Sequence, residues 1–303
     1  IQAMDLLGRK LGQNKGRPIM DLLGEIQTVL TAAKAVARAT PLADRREGLA
    51  KLTLQEKLGS YAEKSARLIA LADSIARAAG VSDLSAVRSA AELLKVDLAT
   101  DMVKEFTDLQ GVVGGLYARA EGAPEPVWQA IYDQYRPAGA KDALPRGAVG
   151  QVTALADRLD TLAGFFGLGL IPTGSKDPFG LRRAALGVVR LALEGEVEVH
   201  LEAALGSAFG LLHEKLPVKG ALESGTSGPS PDVSPAHRKA FDQLVEFLRD
   251  RLTHVLGERG FAYDEVAAAM GADSDSPLAF RAIAARTAAL RGARQEPDFA
   301  VVA

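Results

Sequence analysis

The chain has 303 residues, 48% hydrophobic and only 5% aromatic, which is enough apolar material for one large or two modest domains with cores built mainly of Leu, Ala and Val. Its 36 basic and 38 acidic side chains nearly cancel, so any nucleic-acid contact must come from a local basic face and not from a globally cationic protein. Cysteine is absent, which excludes disulfides, thiolate catalysis and cysteine-ligated metals, and no apolar run reaches the ~20 residues of a membrane-spanning helix.

These bounds predict an all-α fold of helices packed on helices. In the first 40 residues, Met4-Asp5-Leu6-Leu7-Gly8 recurs as Met20-Asp21-Leu22-Leu23-Gly24 around the basic, glycine-rich GRKLGQNKGRP. That segment is either a solvated linker, the simpler reading, or a nucleic-acid arm. Residues 25–39 have the period of an amphipathic helix, which Pro41 ends. Residues 42–80 read as helical with one break and stop at Gly80. Ser82 or Asp83 caps a further helix that runs to about Phe106 and carries Lys95 and Asp97 in its middle, on a solvated face.

The glycines of Asp108-Leu109-Gln110-Gly111-Val112-Val113-Gly114-Gly115 suit a close approach between helices. Trp128, Ile131, Tyr132 and Tyr135 form an aromatic group at helical spacing, read as core more readily than as a base-stacking surface. A helix over 148–164 follows. Its Asp157 and Asp160 share one face, a pair suited either to a divalent cation or to salt bridges. Arg158 between them and the lack of a nearby histidine favour the salt bridges.

Residues 159–191 are the most particular stretch. Gly169-Leu170-Ile171-Pro172-Thr173-Gly174-Ser175-Lys176 has the look of a phosphate-binding loop, but Ser and Lys are in the wrong order, Pro172 interrupts it and no strand signal precedes it. Asp177 and Pro178 read as the N-cap and first position of a helix over 178–194. Lys176, Arg182, Arg183 and Arg190 then form a basic cluster near a helix N-terminus, suited to RNA phosphates or to pairing with Asp157, Asp160 or Asp177.

Helical pattern continues over 195–214 through His200 and His213. Residues 215–236 are a linker rich in Pro, Gly and Ser, where we place a boundary between a domain over 41–214 and a smaller one over 237–303. The latter reads as a strong helix over 237–259, a short one from Tyr263, and a last one capped at Asp275-Ser276-Pro277 and running to about Arg294. The four histidines, His200, His213, His237 and His254, form no HExxH, there is no GxSxG, and no acid/base constellation emerges from spacing.

Several phrases, in order, resemble the beta subunit of bacterial heterotetrameric glycyl-tRNA synthetase: QEKLGS at 55–60, KVDLATDMVKEF at 95–106, DLQGVVGG at 108–115, VWQAIYDQY at 127–135, the long phrase over 156–191, and FLRDRLTHVLGERGFAYDEV at 247–266. The resemblance covers 41–303 and leaves residues 1–40 as an unmatched helical or linker segment. It implies a fragment, a truncated paralogue or a divergent homologue. It also implies a middle domain related to HD phosphohydrolases, with Lys95, Asp97, Asp157 and Asp160 at degenerate metal-site positions whose histidines are missing, so no bound metal is expected. Residues 237–303 would be part of an anticodon-binding helical region.

By the same resemblance, the alpha subunit glycylates tRNA-Gly using ATP and Mg, no cofactor is bound by this chain, and the chain contributes tRNA binding and assembly in the cytoplasm without membrane contact. Lys176, Arg182, Arg183 and Arg190 would then be positioning contacts to RNA phosphates. The other reading is a stand-alone helical adaptor derived from that subunit, without aminoacylation activity.

Overall fold

The computed structural model describes residues 40–213, 215–216, 237–272 and 276–296. The expectations for residues 1–39, for most of the linker and for Asp275 lie outside these. Among the described residues the fold is all-α except for one short two-stranded ribbon.

A 3-10 helix, Ala43–Lys51, leads into that ribbon, β1 (Thr53–Gln55) paired antiparallel with β2 (Gly59–Ser60). It marks the break that periodicity places in residues 42–80. The Gln55 side chain accepts from the backbone N–H of Lys57 at 2.6 Å, and Gly59 takes a positive φ of 85° to close the turn. Ser60 then opens α1 (Tyr61–Ala78) through a capping box with Glu63. Leu68, Leu71, Ala72 and Ile75 form its buried stripe. Its end is a Schellman-type turn, with the Val81 N–H donating to the Ala76 carbonyl at 2.9 Å.

Asp83 caps α2 (Leu84–Leu93) by accepting from the Ala86 N–H at 2.8 Å. The single helix expected to run to Phe106 breaks here. A 3-10 turn, Val96–Ala99, intervenes before the short α3 (Asp101–Glu105), which Thr100 caps. The break turns Lys95 and Asp97 inward, and both are buried rather than solvated. Next come α4 (Val112–Ala120) and α5 (Glu125–Asp133), which pack closely against each other. A Cβ at Gly115 would lie 2.5 Å from the Tyr132 Cβ and 2.8 Å from its backbone, so only glycine permits this approach. Trp128 is core, as its spacing predicts, and has the guanidinium groups of Arg119 and Arg146 at 4.9 and 5.3 Å from its ring centre.

The centre of the fold is α6 (Gly147–Gly167). It is buried on nearly every side, as a helix surrounded by other helices must be. It packs against α1, α2, α5, α7 (Leu181–Glu194), α8 (Leu201–Leu211) and α9 (Arg238–Glu258). The Phe166 and Phe247 rings, on α6 and α9, are 5.2 Å apart. The chain then turns through α10 (Tyr263–Gly271) to α11 (Phe280–Arg294), which leans on α7. There Arg281 donates to the carbonyls of Ala192 at 2.8 Å, of Gly195, and of Val197 at 3.3 Å, placing a cation on the carboxyl end of α7. One hydrophobic cluster runs through all these helices, from Leu42 to Ile283.

Candidate functional site

Two charged features stand out, one inside the fold and one on its surface. The inner one is built on α6. Asp157 and Asp160 are one turn apart and share a face with Thr161. α1 brings Lys64 and Arg67 to that face, and the break after α2 brings Lys95. Lys64 Nζ lies 3.0 Å from Asp157 Oδ1 and 2.9 Å from Asp160 Oδ2, and donates to Thr161 Oγ1 at 2.9 Å. Arg67 Nε donates to Asp160 Oδ1 at 2.6 Å and its Nη2 to Oδ2 at 3.2 Å, a fork-to-fork pair. Lys95 Nζ donates to Asp157 Oδ2 at 2.7 Å and sits 4.2 Å from the Tyr135 ring centre. Asp97 accepts from the Gly111 N–H at 2.5 Å.

Burial governs the electrostatics. It works against the Lys64 ammonium, but Asp157 and Asp160 outweigh it and hold the Lys64 pKa above its ordinary value. For Asp157, burial is again the largest influence, and again it is overcome, here by Lys64 and Lys95, leaving the carboxyl well below the usual range. Asp97 goes the other way. Its burial pushes the pKa up, and the Gly111 hydrogen bond and Lys95 offset only part of this. Next along α6, burial lowers the Arg158 pKa to about 10, and Asp157 offsets part of it. Its guanidinium donates to the carbonyls of Gln134, Ala154 and Arg136 at 3.2, 2.8 and 2.6 Å.

The four positions read as degenerate metal-site residues, Lys95, Asp97, Asp157 and Asp160, are therefore gathered in one region. Their donor set does not fit a metal, because Lys64, Arg67 and Lys95 already occupy the oxygens of Asp157 and Asp160 with positive charge. Among the described residues no three His, Asp or Glu side chains converge as ligands. Sequence reasoning passed over Lys64 and Arg67. The signal was there, because Lys64 lies on the same helical stripe as Leu68, Leu71 and Ile75, where a cation needs a buried partner.

The outer feature is the loop over 168–180 between α6 and α7. It follows a helix, not a strand, and turns at Gly169, Gly174 and Gly180, with φ of 72°, 52° and 66°. Because Gly180 is left-handed, α7 starts at Leu181, three residues later than Pro178 suggests. Asp177 still caps the helix, but from further out, accepting from the N–H groups of Leu181 at 2.8 Å and Arg182 at 2.9 Å. The amides that would meet a phosphate are thus already bound to a carboxylate.

The expected cluster of four cations also divides. Arg190 is buried and none of its hydrogen-bond partners belongs to the loop. It pairs with Glu194 at 2.6 Å and donates to the carbonyls of Gly139 and Asp142 at 3.0 and 2.6 Å. Lys176 and Arg183 remain exposed, and Arg182 is half-buried with its guanidinium donating to the Gly174 carbonyl at 2.6 Å. Pairing with Asp157 or Asp160 does not occur, since both are enclosed within the inner cluster.

The family model described as "Glycyl-tRNA synthetase beta subunit" matches residues 36–271. The chain is 40% identical over 266 residues to a glycine–tRNA ligase beta subunit of Janthinobacterium sp. (strain Marseille), covering 88% of this chain and 34% of that protein. It is 42% identical over 245 residues to that of Delftia acidovorans, covering 80% and 31% of the two chains. It is 41% identical over 271 residues to that of Moorella thermoacetica, covering 88% and 36%. The chain belongs to the glycyl-tRNA synthetase beta subunit family, and spans about a third of the length of the curated relatives it matches.

Proposed function

We propose that this chain is a tRNA-binding, non-catalytic part of a glycyl-tRNA synthetase beta subunit. It holds tRNA-Gly through the 168–180 loop and assembles with the alpha subunit, which carries out the ATP- and Mg-dependent glycylation. The observation that supports this reading is the placement of Lys176 on the 168–180 loop and of Arg182 and Arg183 in the first turn of α7, with no carboxylate partner for their side chains among the described residues. Three arginines of α11 have partners within the chain. Arg281 binds three carbonyls, the Arg291 guanidinium lies 4.0 Å from the Phe261 ring centre, and Arg294 pairs with Asp264 and Glu265. The inner cluster supports the non-catalytic half of the reading, because its carboxylates face cations and leave no base poised toward a cleft.

Contacts of this kind fix the register of an RNA without reading its sequence, and their strength falls with salt. The test is a titration of the chain with tRNA-Gly at low and physiological salt, with and without the alpha subunit. Salt-sensitive binding and alpha-subunit association are expected. If neither occurs, the reading fails and a stand-alone adaptor takes its place.

A further inference from the structure

The 168–180 loop carries an aromatic ring that the core holds out to solvent. Phe179 is 45% exposed, yet its ring centre is only 4.3 Å from that of Phe165, tilted by 33°. Phe165 belongs to α6 and is 3% exposed. One face of Phe179 thus rests on a fixed core ring while the other side is open. Solvated apolar area of this kind is a cost to the isolated chain, and Lys176 and Arg183, three and four residues away in the chain, are both exposed. The one carboxylate of the loop, Asp177, is turned toward the amides of α7 and forms an ion pair with neither cation.

A supported aromatic face, with unpaired cations within four residues of it in the chain, matches one ligand chemistry closely. A nucleotide outside a helix presents a flat base and a phosphate on either side of it. Bases within a duplex are stacked on each other and do not reach such a ring. We infer that Phe179 is a stacking platform for an unpaired RNA base, with Lys176 and Arg183 taking the flanking phosphates. This rests on the tRNA-binding reading above and adds to it a residue and a ligand type: single-stranded nucleotides of the tRNA, not its duplex stems.

The test compares tRNA-Gly binding by the full chain and by its Phe179→Tyr and Phe179→Leu variants. Leucine keeps apolar bulk but has no ring face. Phe179→Leu should weaken binding about tenfold, with its salt dependence unchanged, while Phe179→Tyr binds like wild type. Wild-type affinity in Phe179→Leu would overturn the stacking role and leave tRNA binding standing. A wild-type chain that binds no tRNA would remove both. Loss of alpha-subunit association in Phe179→Leu, with tRNA binding intact, would reassign the ring to a protein contact and overturn the proposal.

A second measurement does not depend on the leucine variant folding. In Phe179→Trp the added indole emission should be quenched by a single-stranded oligonucleotide and not by a duplex of the same sequence. Unchanged emission at saturation with the single strand would overturn the inference.

Discussion

Lys95 Nζ lies 2.7 Å from Asp157 Oδ2, inside the fold, although 62 residues separate the two in the chain. With Lys64 on the other oxygen, an ammonium group stands at each side of a carboxylate that the phosphohydrolase resemblance would assign to a metal. The cluster is thus a structural joint between α1, the break after α2, and α6. Removing one partner leaves a buried charge incompletely matched, which costs more than the pair itself contributes. Lys95→Met should lower the unfolding free energy by about 3 kcal/mol, measured by urea denaturation. Stability equal to wild type would show that Lys64 alone satisfies Asp157.

Asp157 and Asp97, both buried, pull stability in opposite directions with pH. The folded-state pKa of Asp157 lies below its unfolded value of about 3.9, so its contribution is present above that pH and is lost as pH falls through the folded pKa. Asp97 has a raised folded-state pKa, so its contribution is present below about pH 3.9 and is lost as pH rises through the folded pKa. Asp157→Asn should therefore be less stable at neutral pH and lose less on acidification. Asp97→Asn, which keeps an acceptor for the Gly111 N–H, should flatten the decline on the neutral side. Thermal midpoints between pH 3 and 8 read both; parallel curves for wild type and variants would contradict the assignment.

Gly115→Ala tests the contact of α4 with α5. Helix propensity alone would favour alanine by about 1 kcal/mol. Here its Cβ would lie within 2.8 Å of Tyr132 backbone atoms, which cannot rotate away. The variant should be destabilised by about 2 kcal/mol net, in the range of overpacked sites. A stabilised variant would mean that the two helices separate freely.

Asp177→Ala removes the acceptor for two α7 amides. Loss of a cap costs about 1 kcal/mol. The same change removes the one negative charge of the loop and frees those amides for a phosphate. The variant should therefore be less stable yet bind tRNA more tightly. Lower stability with unchanged binding would place the RNA elsewhere.

Much of the fold was legible because helices announce themselves by period and caps. The helix over 148–164, the helix over 237–259 and the glycine contact at 114–115 all follow from local pattern. What escaped depends on partners distant in sequence. Periodicity put Lys95 and Asp97 on a solvated helix face because nothing nearby in the chain shows Asp157 or Gly111 waiting for them. Arg190 likewise read as part of a basic rim. Its partners at Gly139 and Asp142 come from a loop some fifty residues earlier. The start of α7 was misplaced because Asp177 and Pro178 carry the usual opening signal, whereas Gly180 in the left-handed region decides where the helix begins. Phe179 had no sequence signal as a surface ring, since its exposure follows from how Phe165 supports it.

The central claim is that RNA meets the exposed cations of the 168–180 loop and the first turn of α7, Lys176 and Arg183, and not the buried cluster. The most direct measurement is the salt dependence of tRNA-Gly binding for wild type and for the double variant Lys176→Ala, Arg183→Ala. Two lost phosphate contacts should weaken binding and lower the slope of log affinity against log salt by about two. A double variant with wild-type affinity and slope would contradict the account.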